Sequence, residues 1–304
     1  MGGGGRPSRS WPSRQGLRPL LCLLAYEGTA GGRELTPALA AAAGIELIHN
    51  FSLVHDDIQD EDRERHHRPT AWVVWERPRR STPAMDCGRS PPAPFSPRPG
   101  GVRRRGGAPA YTMLNDACLT MIEGQSSDLV FEQEGQVDTA RYLDMIARKT
   151  GALIATALAI GGLLGSHDIA VAAGFHELGA QLGRAFQIQD DILGVWGAAE
   201  VTGKSNSSDI RRRKQSYPVV YTLTEGPAAA RAALAEVYAA PVIGDREVAR
   251  AVAAMEAAGA RDRAAALAAE AHARALAILD RLPVRPDIRD DLHTVAAFLL
   301  QRQF

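Results

Sequence analysis

The stretch Asp138-Thr139-Ala140-Arg141-Tyr142-Leu143-Asp144-Met145-Ile146, continuing through Lys149-Thr150-Gly151 to Leu153-Ile154-Ala155-Thr156-Ala157-Leu158-Ala159-Ile160, decides the fold. Tyr142, Leu143, Ile146, Leu153, Ile154, Leu158 and Ile160 recur at helical spacing, and Asp138 opens the run. Similar patterns lie on both sides. Thr36-Pro37 is a helix start, with threonine as N-cap and proline at the first helical position, and the helix it opens runs to about Asp60. Another begins near Asp168 and reaches about Trp196. Pro218 begins a short helix after a polar loop, and the Ala-rich tail from Asp245 to Phe304 predicts two or three more. Long helices with no strands between them mean an all-α bundle.

Lys plus Arg and Asp plus Glu number 35 each, so the net charge is zero and gives no ground for a nucleic-acid partner. Cys22, Cys87 and Cys118 have neither metal-ligand spacing nor an even-numbered framework, which fits a reducing compartment. The apolar run Pro19 to Tyr26 is short for a leader and lacks a cleavage pattern. No stretch approaches the roughly 18 uninterrupted apolar residues of a membrane span. The expectation is a cytoplasmic protein. Two segments depart from the helical pattern. Residues 1–16, rich in Gly, Arg and Ser, read as disordered. From about Arg77 to Pro109, Pro83, Pro91, Pro92, Pro94, Pro97, Pro99 and Pro109 exclude a helix, and Arg103-Arg104-Arg105 make the segment basic. The rest of 17–304 reads as one helical domain.

The strongest chemical signal is Asp56-Asp57-Ile58-Gln59-Asp60. Positions i, i+1 and i+4 of a helix share a side, so all three carboxylates can point into one cavity. Their mutual repulsion is relieved if hard divalent cations sit among them. Magnesium suits this, because it uses few carboxylates and completes its shell with water and phosphate. A second pair stands in Phe186-Gln187-Ile188-Gln189-Asp190-Asp191, after the apolar Leu178, Leu182 and Ala185, where unpaired aspartates are costly. Two acidic patches on different helices can face each other across a bundle. Arg18, Arg65, Arg68, Lys149, Lys204, Arg211 to Arg213 and Lys214 are the candidate phosphate-binding cations. Lys149-Thr150 interrupts an apolar helix and argues for a buried ligand contact, with snorkelling to the surface as the alternative. Lys214 fits a solvated basic run as well as it fits a ligand contact. His49 lies about two turns before Asp56 on the same face, where it could meet a phosphate. The spacing of His49, His55, His66 and His67 does not make a zinc site.

These motifs, in this order, resemble the trans-prenyl diphosphate synthases, a family that includes farnesyl and geranylgeranyl diphosphate synthases. Asp56 to Asp60, Arg65 and Arg68-Pro69-Thr70 are similar to its first aspartate-rich motif. Gly124-Gln125-Ser126-Ser127-Asp128-Leu129, Lys149-Thr150-Gly151, Phe186 to Asp191, Thr202-Gly203-Lys204, Asp209-Ile210 and Lys214 follow in the family's order. The resemblance covers roughly residues 17–76 and 111–224. It implies an isoprenoid synthase-like bundle of antiparallel helices around a deep central cavity, usually homodimeric. It implies condensation of isopentenyl diphosphate with an allylic diphosphate, using roughly three magnesium ions per site. Asp56, Asp60 and Asp190 would ligate the metal, with Asp57 and Asp191 in support. Arg65, Lys149 and Lys204 would hold the allylic diphosphate, and Arg18 and His49 the isopentenyl diphosphate. Thr150 and Gln187 would turn their oxygens to the allylic cation.

The chain also departs from the family pattern. The early Gly-Lys-x-x-Arg element appears as Gln15-Gly16-Leu17-Arg18, without its lysine, and His66 stands where a second arginine is usual. Gly194 replaces the third aspartate that many members carry in the second motif. The Pro/Arg stretch replaces an apolar helix, and its composition is that of a GC-rich gene read out of frame. A homologue that has lost the chemistry is therefore a competing reading. A terpene cyclase is a second, disfavoured by the second Asp-Asp pair and Lys204. Phe51, five residues before Asp56, would floor the elongation cavity and give a product of fifteen or twenty carbons, geranylgeranyl diphosphate slightly favoured.

Overall fold

The computed structural model describes residues 16–32, 34–65, 68–75, 107–134, 137–197 and 208–300. The expected disorder of 1–16 thus falls outside the described residues except at Gly16, and the Pro/Arg stretch falls outside them up to residue 106.

Asp138 caps the deciding helix as its position demands: its Oδ1 accepts the backbone N–H of Arg141 at 2.7 Å. Helix α5 (Thr139–Ile146) passes through a π turn, Ala147–Gly151, into α6 (Ala152–Ser166). A π turn widens the helix by one residue and is seldom kept without a reason. Here the reason is packing. Helix α4 (Gly107–Glu134) lies on one side, and a Cβ on its Gly124 would stand 2.3 Å from the backbone N of Lys149. Helix α7 (Ile169–Trp196) lies on the other, and a Cβ on its Gly183 would stand 2.7 Å from Cα of Gly151. The widened turn fits only because both neighbours lack a side chain there.

Helix α1 (Leu17–Thr29) contains the run from Pro19 to Tyr26, and Leu21, Cys22, Leu24 and Ala25 are buried core residues. Helix α6 packs between α1 and α7, and α7 in turn packs on α12 (Ala260–Leu279). The largest core cluster joins these helices to α13 (Pro286–Leu300) through Leu21, Leu158, Phe175, Leu178, Ile278 and Leu292. Helix α2 (Thr36–Gln59) lies against α1 and α6. Among the described residues the strands are β1 (Glu64–Arg65) and β2 (Arg68–Pro69), an antiparallel pair, followed by the single turn α3 (Ala71–Val74). The remaining helices are α8 (Ser208–Arg211), α9 (Tyr217–Glu225), α10 (Ala228–Ala239) and α11 (Asp245–Ala257).

Two local readings need correction. Thr36 is already helical, Leu35 occupies the cap without a side-chain hydrogen bond, and Pro37 sits in the first turn. Pro109 does not exclude a helix, because it falls in the first turn of α4, where its missing N–H has no intrahelical partner to lose. Among the described residues, α2 and the α5–α6 run are long and apolar enough to cross a membrane by length and composition alone. The second is mostly buried inside the bundle, as a core helix is.

The clamp on the π turn gives a direct test. Gly124→Ala should lower unfolding stability by roughly 1–3 kcal/mol, the usual cost of overpacking, read by chemical denaturation. Stability unchanged from wild type would show that α4 does not hold the turn.

Candidate active site

Asp56, Asp57 and Asp60 crowd the last turn of α2, where the helix dipole disfavours negative charge. The fold answers them with cations from three other segments. Glu61 takes a left-handed turn (φ 54°), the chain enters the β1–β2 hairpin, and Arg65 folds back so that its Nε donates to Asp57 Oδ1 at 2.7 Å. The hairpin is braced by the carbonyl of Asp62, which accepts from Thr70 Oγ1 at 2.6 Å and Trp72 Nε1 at 2.7 Å. Arg212 donates to the Asp62 carboxylate. Asp57 is thereby 5% exposed and locked to Arg65.

Asp56 and Asp60 meet a different set of charges. Lys149, from the π turn, and Lys214, beyond α8, both act on Asp56, and Lys214 Nζ lies 3.6 Å from Asp60 Oδ2. Burial pushes the Asp56 carboxyl above its usual range; Lys149 pulls it down and Asp60 pushes it up again. Lys149 Nζ donates to Asp128 Oδ2 of α4 at 2.6 Å. Burial pulls Lys214 down, but Asp209, Asp60 and Asp128 outweigh it and hold the ammonium above its ordinary value. Glu132, one turn past Asp128, is likewise raised by burial and then by the Asp128 and Asp60 charges.

Beside this cluster, Arg18 Nη1 donates to Nε2 of His49 at 2.9 Å, so that nitrogen carries no proton. Burial, then the charges of Arg18 and Arg65, push His49 down to about 3. Phe51 packs against His55 with its ring tilted by 54° and 4.4 Å between ring centroids, just ahead of the aspartates.

The second acidic motif is organised around Asp191, which is 5% exposed. It accepts from the Tyr142 hydroxyl, from the backbone N–H of Tyr217 at 3.0 Å and from Gln187 Nε2 at 3.1 Å. Burial pushes Asp191 up to about 7 against the pull of these three donors. Gln187 Oε1 accepts from Thr150 Oγ1 at 2.7 Å. Asp190 is half-buried beside this network. A Cβ on Gly194 would stand 2.3 Å from Oδ2 of Asp209, so the Asp209 carboxylate fills the space in front of Gly194.

The structure thus brings Asp56, Asp60, Lys149 and Lys214 together, sets Arg18, His49 and Arg65 beside them, and links Thr150, Gln187 and Asp191. Lys204, His66 and His67 lie outside the described residues. Arg211 and Arg213 are directed elsewhere: Arg211 to Asp245 and the Ile243 carbonyl, Arg213 to the carbonyls of Tyr238, Ala240 and Pro241. Sequence reasoning gave no role to Asp128, Tyr142 or Asp209. Asp128 lay within the quoted Gly124–Leu129 motif, whereas nothing local marks Tyr142 as more than a core residue.

Among the described residues no three carboxylate, histidine or cysteine side chains converge tightly enough to hold a cation unaided. Magnesium does not require them to, since it takes one or two carboxylates and fills its shell with water and phosphate. The donor set also fits on charge: Asp56 is raised by burial and by the like charge of Asp60, a strain that a cation between them relieves.

An all-helical bundle that carries two paired-aspartate motifs on separate helices, with half-buried lysines beside the first, defines the isoprenoid synthase class. Residues 12–255 match the polyprenyl synthetase family. The chain is 32% identical to a (2E,6E)-farnesyl diphosphate synthase of Mycobacterium tuberculosis, covering 94% of this chain and 79% of that one. It is 34% identical to a geranylfarnesyl diphosphate synthase of Aeropyrum pernix, covering 94% and 89%. Its structure is similar to that of a polyprenyl synthetase from Streptomyces coelicolor, with a TM-score of 0.81, 34% identity and coverage of 93% and 84%. The chain belongs to the polyprenyl synthetase family and is a prenyltransferase.

The state of His49 can be read from stability. The unfolded chain takes up a proton here near pH 6.5, the folded chain only near about 3, so the folded state loses stability as pH falls through that window. His49→Gln, which keeps an acceptor and cannot titrate, should flatten the stability–pH slope there in urea denaturation without substrate. An unchanged slope would mean that the imidazole is not held neutral.

Proposed function

We propose that the protein condenses isopentenyl diphosphate with an allylic diphosphate, with magnesium as cofactor, to give a prenyl diphosphate of fifteen to twenty carbons. The observation that carries this reading is the convergence of Asp56 and Asp60 with Lys149 and Lys214, next to the Arg18–His49 pair. Magnesium, held by Asp56, Asp60 and Asp190 when bound, supplies positive charge against the leaving diphosphate. Arg65 and Lys149 hold that diphosphate and favour its departure from the allylic carbon. Arg18 donates to the isopentenyl diphosphate, and neutral His49 accepts from Arg18 and keeps its fork aimed. Thr150 and Gln187 direct oxygen lone pairs at the allylic carbon as charge develops there. The isopentenyl double bond attacks, and the proton lost in closing the new double bond goes to the released diphosphate.

Relatives at nearly equal identity carry names that differ in product length, so length is assigned from this chain's own residues. Phe51, packed at a tilt against His55, is the floor of the elongation cavity, and a C20 product is slightly favoured. The test is a product assay with labelled isopentenyl diphosphate, three allylic diphosphates and magnesium. A magnesium-dependent C15 or C20 product is expected, reduced at least about a hundredfold by Asp56→Ala and lengthened by Phe51→Ala. A folded wild-type protein that makes none would overturn the assignment.

The reading includes a cytoplasmic homodimer. Helix α2 exposes Leu39, Leu47 and Val54, and the adjoining α4 exposes Leu119, Ile122 and Val130. Two neighbouring apolar faces of this kind suit an isologous contact with a second copy. Light scattering should give a dimer mass for the wild type and a monomer mass for Leu47→Glu combined with Leu119→Glu; a monomeric wild type would exclude the interface.

A further inference from the structure

We infer that Tyr142 is a positioning residue for prenyl transfer: through Asp191 it fixes the setting of the Gln187 amide, and hence how the oxygens of Gln187 and Thr150 face the allylic carbon. The inference rests on the prenyl-transfer reading of the site.

The argument is one of donor and acceptor counting in a closed space. Tyr142 is 2% exposed, and its hydroxyl donates to Oδ2 of Asp191. The backbone N–H of Tyr217 donates to the same oxygen at 3.0 Å. Oδ2 is thereby saturated, and Oδ1 is left to Gln187 Nε2 at 3.1 Å. In its ionised form, which these three donors favour, Asp191 only accepts, so the Gln187 NH2 must turn toward it and the carbonyl must turn away. The carbonyl oxygen then takes the single hydroxyl proton of Thr150 at 2.7 Å. Once that proton is committed, the lone pairs remaining on Thr150 Oγ1 and Gln187 Oε1 are all acceptors. A site that must stabilise a carbocation needs such oxygens, oriented before the charge appears.

Removing the Tyr142 hydroxyl breaks this chain at its buried end. Asp191 Oδ2 then keeps only the backbone N–H of Tyr217, and its second lone pair is left unfilled in a buried site, which is costly. The Gln187 NH2, already on Oδ1 at 3.1 Å, is drawn toward Oδ2 as well. Shared between the two carboxylate oxygens, the amide loses its single setting, and its carbonyl oxygen and the Thr150 hydroxyl bound to it swing off the line to the allylic carbon. Tyr142 also lies on α5, ahead of the π turn that carries Thr150, so the same bond ties that helix to α7, which carries Gln187.

The variant Tyr142→Phe keeps the ring and its packing against Tyr217, whose centroid is 6.1 Å away. Its kcat should fall about ten- to a hundredfold, the effect of a lost hydrogen bond to a charged group, with KM for the allylic diphosphate little changed. Added to Gln187→Ala, it should cost nothing further, because it acts through that side chain. A second readout needs no turnover. Calorimetry with diphosphate and magnesium would compare an ammonium analogue of the allylic cation with its neutral carbon isostere. The wild type should prefer the cation, and Tyr142→Phe and Asp191→Asn should both lose that preference. A tyrosine that merely stabilised the fold would lower the melting temperature and the active fraction and leave the preference intact.

Additive losses in the double variant, or an unaltered cation preference in folded Tyr142→Phe, would overturn the inference while leaving prenyl transfer standing. A wild type that prefers the cation analogue yet makes no prenyl product would sink the activity and leave the positioning role supported.

Discussion

Leu153 to Leu163 of α6 are buried without exception, so this helix has no face to offer to solvent. An α-helix apolar all round must be covered on every side. Helices α1, α2, α4 and α7 do this, and the closeness of their approach is set by what stands at each contact. Where α4 and α7 flank the start of this run, at Gly124 and Gly183, no side chain intervenes, and the backbone between them widens by one residue. That is how a lysine and a threonine come to sit in the middle of an apolar run. The polar break is a product of packing, and the site is built on it.

The two acidic motifs share a division of labour. In each, the second aspartate of the adjacent pair, Asp57 or Asp191, is 5% exposed and held by protein donors. The first, Asp56 or Asp190, is left with more exposure. Adjacent helical residues are turned about a third of a circle apart, so one carboxylate can face the packed interior while its neighbour faces the ligand space. The more enclosed member offsets its desolvation with hydrogen bonds that fix the backbone under its partner. In α2 the fixing partner comes from the hairpin through Arg65; in α7 it comes from α5 and α9 through the two tyrosines.

The sequence alone disclosed the helices with strong periodicity and the aspartates that interrupt it. Asp138 and Asp168 were legible because a capping side chain leaves a local mark. The π turn was not legible, since its cause lies in glycines 25 residues before Lys149 and 34 after it. Helices α1, α4 and α10 were also missed. The first reads as a short apolar run, and the others are rich in residues that favour no face. The basic run Arg211 to Arg213 promised phosphate ligands, but carbonyls at the end of α10 and carboxylates on other segments engage it instead. Tyr142 sits at a helical spacing that any core residue would satisfy, and what its hydroxyl meets is 49 residues away. Long-range partnerships of this sort leave no pattern in a linear sequence.

Gly194 and Asp209 show what such partnerships imply for substitution. The Asp209 carboxylate occupies the volume that a side chain at position 194 would enter. A larger residue there requires that carboxylate to move aside, and Asp209 is one of the charges that raise Lys214. The two positions are therefore coupled: a change at 194, remote in sequence from Lys214, reaches its ammonium through the carboxylate that stands between them.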